Sequence, residues 1–304
     1  MSSRKATILV CGVAVLDFVF RLDDLPRKPE KYRAKTAAIV GGGGAANGAV
    51  GIVRLGGNAR LAARLGSDVI GDLIVADLVA EGVDCTLVRR FEGRQSSYSS
   101  IFLDDAGERQ IVNFRDLDIS FDAGWLKRED CSGVDAVFAD TRWPDGAVRA
   151  MQLARDLGVP GVIDIEAPAH EALDAMALAS HSAFSAQGLR DLTGMNDLEN
   201  ALAGLGDRHG WICVTDGENG VWWRKGNESG HIPAFRVEAV DTLGAGDLWH
   251  GAFALRLGEG ASEIDAVRFA NAAAAIKCTR FGGREGTPTR VETENFMKEA
   301  SPCN

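Results

Sequence analysis

An α/β fold, with a central mostly parallel β-sheet flanked by helices, is what this sequence predicts. Three observations carry that expectation. From Asp116 onward, short apolar runs alternate with helical stretches, the pattern of parallel strands joined by crossover helices. Two regions, Asp17 to Val40 and Gln95 to Phe114, break the alternation and read as β-structure with no helix between the strands. Finally, 304 residues with 46% apolar content can bury one large core, so the chain reads as a single domain over 1–304.

Taken in order, the first strand is Thr7 to Val13, an apolar run that continues to Asp17 without a glycine turn. The glycines Gly41 to Gly44 come next, followed by a helical run from Ala49 to Leu55 and then Gly56-Gly57. Ser97 to Leu103 and Arg109 to Phe114 flank the turn residues Asp104 to Gly107 as a hairpin. Asp135 to Ala139, Gly161 to Ile165, His181 to Phe184 and Trp211 to Thr215 are apolar runs of strand length. They are separated by helical stretches such as Asp145 to Leu157 and Leu198 to Leu205. Val214 to Gly220 reads as strand, turn and strand. Phe235 to Val240 predicts a further strand, Leu248 to Leu257 a helix closed by Gly258, and Asn271 to Lys277 an alanine-rich helix.

Composition narrows the function classes. A formal charge of −10 argues against a nucleic-acid partner. No segment is long enough to span a membrane. Residues 1–20 place Arg4 and Lys5 before an apolar run, but Asp17 interrupts it and no clean small-residue cleavage site follows, so a signal peptide is not expected. Cys11, Cys85, Cys131, Cys213, Cys278 and Cys303 show no metal or redox spacing and read as reduced thiols of a cytoplasmic protein.

The chemistry concentrates in Asp241-Thr-Leu-Gly-Ala-Gly-Asp-Leu-Trp-His250, which sets a carboxylate behind a glycine turn at a helix start. Gly244, Ala245 and Gly246 can present backbone N–H groups at the positive end of that helix, where an anion is favourably held. Asp247 would stand beside the anion and accept a hydroxyl proton during phosphoryl transfer. The plain alternative is an ordinary helix cap. Gly41-Gly-Gly-Gly-Ala-Ala-Asn-Gly48 is the second cluster. It also satisfies the weak dinucleotide fingerprint, but its glycines do not directly follow the first strand as a nicotinamide site requires.

Together these two segments, in this order and about two hundred residues apart, resemble the paired signatures of the ribokinase-like (PfkB-type) carbohydrate kinases, and the likeness covers essentially the whole chain. The resemblance implies the ribokinase-like fold, ATP and Mg2+ with K+ as a further ion, and a small β-sheet lid formed by about 14–40 and 95–114. It implies sugar contacts from Asp17, Gly42, Gly43, Gly44 and Asn47. It implies nucleotide contacts from Thr215, Gly217, Gly220, Asn271, Ala274 and Cys278, and a monovalent cation at Asp241. One departure stands out. The family's N-x-x-E segment aligns with Ser185-Ala-Gln-Gly188, which lacks both polar residues, so Mg2+ is expected to be held by phosphates and water, with Asp164 from a neighbouring strand end as the protein ligand candidate.

Lys31, Asn113 and Arg142 sit in local contexts that resemble the sulfofructose kinase branch, where such residues hold the sulfonate of 6-deoxy-6-sulfofructose. Phe184 to Leu189, Leu192-Thr-Gly194 and Lys277-Cys-Thr-Arg280 carry the same likeness. An Arg fork and a Lys point charge suit a sulfonate, whereas solvated surface charges are the ordinary fate of such residues. Arg115 adds a cation that a different anionic sugar could use. The expectation is an ATP-dependent kinase phosphorylating the 1-hydroxyl of 6-deoxy-6-sulfofructose. Fructose or another ketohexose, 2-keto-3-deoxygluconate, and a catalytically weak sugar-binding pseudokinase are the alternatives. The family resemblance further implies a homodimer through the lid, with Tyr32 to Val40 near the interface.

Overall fold

Nine strands form the main sheet of the computed structural model, which describes residues 4–106, 108–206 and 210–299. Gly107, of the expected hairpin turn, and Cys303 lie outside the described residues. The sheet contains β1 (Thr7–Cys11), β4 (Asn58–Gly66), β5 (Asp84–Phe91), β8 (Ala136–Ala139), β9 (Gly161–Ile165), β10 (His181–Ser185), β11 (Trp211–Thr215), β12 (Val221–Lys225) and β13 (Glu228–Ile232). Their order is β13-β12-β11-β10-β9-β8-β1-β4-β5. All neighbours from β11 to β5 run parallel, while β12 and β13 add an antiparallel edge.

Parallel strands buried on both faces need apolar residues in both alternating sets, and β1 shows why. Ile8 and Val10 point into the core shared with α1 (Gly44–Arg54), α2 (Val69–Ala80), α7 (Ala245–Gly258) and α8 (Glu263–Cys278). Leu9 and Cys11 point into the opposite core, with α3 (Pro144–Leu157), α4 (Leu173–Met176), α5 (Ala186–Thr193) and α6 (Leu198–Gly204). The last helix, α9 (Arg290–Glu299), packs beside α8. Among the described residues no helix is long and apolar enough to cross a membrane.

The lid is a second sheet of β2 (Val15–Arg21), β3 (Thr36–Gly42), β6 (Tyr98–Leu103) and β7 (Arg109–Phe114), in the order β3-β2-β6-β7. Register places Asp17 beside Ser99 and Ser99 beside Asn113, a polar row across three strands on one face. Elsewhere in the sheet, Phe18, Tyr98 and Phe114 make a chain of ring contacts at 6.1 and 5.5 Å.

Two expectations are corrected. The first strand does not run from Thr7 through to Asp17: β1 stops at Cys11, the Gly12 N–H bonds the Ala62 carbonyl, and the chain restarts in the lid at Val15. Apolar continuity concealed a change of sheet. Phe235 to Val240 is not a strand either, because no strand lies beside it. Phe235 packs on Ala272 and Ala275 of α8, and the Val240 N–H donates to the Cys278 carbonyl at 2.7 Å.

Candidate active site

The carboxyl ends of β1, β8 and β9 meet the amino ends of α1 and α7 beneath the lid, the place where open parallel sheets bind ligands. Asp140, just past β8, ties these ends together. Its Oδ2 accepts the N–H groups of Val13 at 2.9 Å and Ala45 at 2.8 Å, and its Oδ1 accepts that of Arg142 at 3.0 Å. Burial pushes its carboxyl up to about 6 despite those three bonds. Sequence reading missed Asp140, although a carboxylate closing an apolar strand was its signal. Gly43 turns the chain from β3 into α1 at φ +96°, and a side chain there would meet the Val13 carbonyl at 2.4 Å.

Asp247 lies in the first turn of α7, after Gly244 at φ +75°. Its Oδ2 accepts the Asn47 Nδ2–H at 2.7 Å, and the Asn47 Oδ1 accepts Arg284 Nε at 3.2 Å. Arg284 is buried, pairs through Nη1 with Asp77, and lies so close to Gly41 that a Cβ there would stand 2.0 Å from it. Asp77, Arg284, Asn47 and Asp247 therefore form one chain of polar contacts from α2 to α7. Asp77 and Arg284 carried no sequence signal, since the relay joins segments more than two hundred positions apart. Burial raises the Asp247 carboxyl; the Asn47 bond lowers it and nearby Glu166 raises it further. The Ala245 N–H turns back to the Thr242 carbonyl at 3.1 Å. This corrects its expected place among the anion donors. Gly246 and Asp247, at the second and third helical positions, have no carbonyl four residues back within α7 and keep free N–H groups for an anion.

A cavity of about 430 Å³ brings together Gly43, Gly44, Asn113, Arg115, Arg142, Asp164 and Asp247 of the predicted set, with Asp140 and Glu166 that sequence reading did not single out. Asn113 Nδ2 donates to Ser99 Oγ at 3.2 Å, and Ser99 also bonds Asp17, whose carboxyl burial pushes up. Gly42 is buried against the Asp17 carboxylate. Arg115 Nη2 donates to the Arg142 carbonyl at 2.7 Å, while Arg142 Nη2 pairs with Glu166 at 2.9 Å. Lys31 does not join this group: it is exposed in the connection between β2 and β3 and does not line the cavity. A lone lysine there is satisfied by water.

Asp164 is buried against the cavity, with His250 Nε2 3.5 Å from its Oδ1. Burial, then the charges of Glu166, Asp247 and Asp140, hold its carboxyl well above the usual range, and burial pushes His250 down to about 4. Among the described residues no group of three or more His, Cys, Asp and Glu side chains is arranged to hold a metal ion. A Mg2+ ion would rely on ATP phosphates and water, with half-exposed Glu166 the accessible carboxylate.

On the expected nucleotide side, Gly217 is exposed and Thr215 half-buried, with Thr215 Oγ1 bonded to the Phe184 carbonyl at 3.3 Å. Gly220 is buried at φ +88°. Ala274 and Cys278 are half-buried on α8. Asn271 is spent internally, accepting from Trp249 Nε1 at 2.7 Å and donating to the Pro233 carbonyl at 3.1 Å. Asp241, expected to face a monovalent cation, has Lys277 beside it instead.

The family model described as pfkB family carbohydrate kinase matches residues 5–290. The ribokinase of Bacillus subtilis (strain 168) is 30% identical over 298 residues, covering 95% of this chain and 99% of the relative. Fructokinase-1 of Oryza sativa subsp. japonica is 27% identical over 331 residues, covering 99% and 100%. The crystal structure of an Agrobacterium tumefaciens protein provisionally named ribokinase is similar at a TM-score of 0.91 and 37% identity, covering 97% of this chain and 98% of that one. The chain belongs to the pfkB family of carbohydrate kinases and has the ribokinase-like fold.

Proposed function

We propose that this ATP-dependent carbohydrate kinase phosphorylates a primary hydroxyl of a sugar carrying an anionic group, with 6-deoxy-6-sulfofructose, phosphorylated on its 1-hydroxyl, as the leading acceptor. The supporting observation is that Asp247 shares one cavity with Asn113, Arg115 and Arg142. A base and a cationic, amide-bearing wall thus face a single bound sugar. Two guanidinium groups and an amide suit the oxygens of a permanently charged sulfonate.

In this reading the acceptor oxygen attacks the γ-phosphorus of ATP. The new O–P bond forms as the bond to the β–γ bridging oxygen breaks, ADP leaves, and the hydroxyl proton passes to Asp247. The Gly246 and Asp247 N–H groups, at the start of α7, would stabilise the charge that develops on the transferring group. Asp17, Ser99 and Asn113 form the row on the lid that addresses sugar hydroxyls. Bound Mg2+ would neutralise phosphate charge.

The ion pair between Arg142 and Glu166 favours a second reading, a neutral pentose or ketohexose, because it already compensates one guanidinium. A coupled ADP-release assay across sulfonated, carboxylated, phosphorylated and neutral sugars separates the two. With the anionic acceptor, Arg142→Ala lowers kcat/KM by the equivalent of about 2 to 5 kcal/mol and leaves activity on fructose nearly unchanged. Equal losses on both sugars, or a panel led by ribose or fructose, would retire the anionic reading in favour of the neutral one.

A further inference from the structure

We infer that the Lys277 ammonium is a built-in cation at Asp241, standing where a free monovalent ion would otherwise be held, so that this kinase needs no such ion. Lys277 has no exposed surface, unusual for a lysine without a dedicated partner. Its Nζ donates to the Asp241 carbonyl at 2.7 Å and lies 3.4 Å from Asp241 Oδ2. One ammonium thus meets both a main-chain oxygen and a carboxylate oxygen of the same residue, the donor pair a desolvated cation needs.

Most of the remaining carboxylate capacity is taken. Oδ2 accepts the N–H groups of Gly282 at 3.0 Å and Gly283 at 3.1 Å, and Oδ1 accepts that of Leu243 at 2.9 Å. Burial alone would raise the Asp241 carboxyl, but these three donors and the ammonium hold it below its ordinary value. A second cation on this carboxylate would leave an uncompensated positive charge in a partly buried place, which is costly.

The arrangement also explains what the cation is for. Lys277 lies in the last turn of α8, where a positive charge is favoured by the helix dipole. The next carbonyl, that of Cys278, accepts the N–H groups of Val240 at 2.7 Å and Asp241 at 3.1 Å. Lys277 and Cys278 therefore clasp the segment that leads, through Thr242 and Gly244, into the α7 amino end. The Gly282 and Gly283 bonds tie the turn carrying Arg284 to the same carboxylate.

The test does not depend on which sugar is the acceptor. Thermal unfolding of the wild-type protein, and its affinity for the ATP analogue AMP-PNP, are measured while K+ replaces tetramethylammonium at constant ionic strength. Both are expected to stay unchanged, the affinity within about twofold. Lys277→Met, which fills the space without charge, and Lys277→Ala, which empties it, should each lower Tm by roughly 5 to 8 °C. K+ or NH4+ should restore much of that loss in Lys277→Ala and little in Lys277→Met. A saturable rise in wild-type Tm or AMP-PNP affinity with K+ would overturn the inference, as would a Lys277→Ala loss that K+ and NH4+ repair no better than tetramethylammonium. Should both variants fail to fold, the wild-type titration still decides.

Discussion

Replacing Asp247 with Asn isolates the proposed base because the surroundings dictate how the new amide must sit. The Asn47 Oδ1 is committed to Arg284 Nε at 3.2 Å, so Asn47 offers its Nδ2–H to residue 247, where the bond is 2.7 Å. An Asn at 247 keeps that bond only by turning its own oxygen toward Asn47, which aims its NH2 at the acceptor hydroxyl. The acceptor then meets a hydrogen-bond donor where it needs a proton acceptor. Loss of general-base help is worth about two to four decades in kcat, or roughly 3 to 5.5 kcal/mol of barrier. The fold should not suffer, since the substitution removes a charge whose burial and neighbour Glu166 both disfavour it. Steady-state kinetics with the best acceptor in the sugar panel, alongside thermal unfolding, make the measurement: kcat collapses while Tm holds within about 2 °C. Turnover within threefold of wild type would refute the assignment of Asp247 as base.

The same carboxyl gives a pH prediction: Asp247 must be ionised to accept a proton, and its folded value is raised, so kcat/KM is lost as pH falls through a point above the ordinary aspartate value. Glu166→Gln removes a nearby negative charge and should move that acid limb to lower pH, which a pH–rate profile would show. Arg284→Met leaves Asp77 and Asn47 without their partner; Asp77 is 44% exposed and can be hydrated, so the stability loss should fall near the low end for broken ion pairs, about 3 kcal/mol in denaturant unfolding. If the β3 edge is a dimer contact, Ile39→Lys at a side chain 61% exposed should convert a dimer to a monomer in light scattering, and a wild-type monomer at all concentrations would remove that contact.

What was legible in the sequence depended on the range of the interaction. Strands such as Gly161–Ile165 and Trp211–Thr215 carry their apolar pattern locally and match their observed bounds. Asp247 announced itself because glycine turn, carboxylate and helix lie within a few residues. Phe235 to Val240 misled because its apolar residues pack on α8 without a strand beside them, and period alone does not distinguish the two. Lys31 lies outside the cavity, and a cation in a loop has the same local sequence whether or not the loop reaches a ligand. Arg284 and Asp77 were silent, and Lys277 entered only through a likeness of its segment: the burial of Arg284 and Lys277, and the partners of all three, follow only from segments brought together by the whole fold.

The lid is not one insertion but two, leaving the main sheet after β1 and after β5 and joined by the pairing of β2 with β6, with ring contacts and the Lys35–Asp105 ion pair beside it. Those strands are some eighty residues apart in the chain, so their pairing carries a large loop-closure cost. With an all-exposed outer strand β7 and few buried side chains to hold the small sheet, its amides should be among the first to exchange with solvent. An enzyme built this way can keep its phosphoryl-transfer machinery on the larger, more deeply buried sheet. The small sheet can then vary on a part of the chain that contributes few buried side chains.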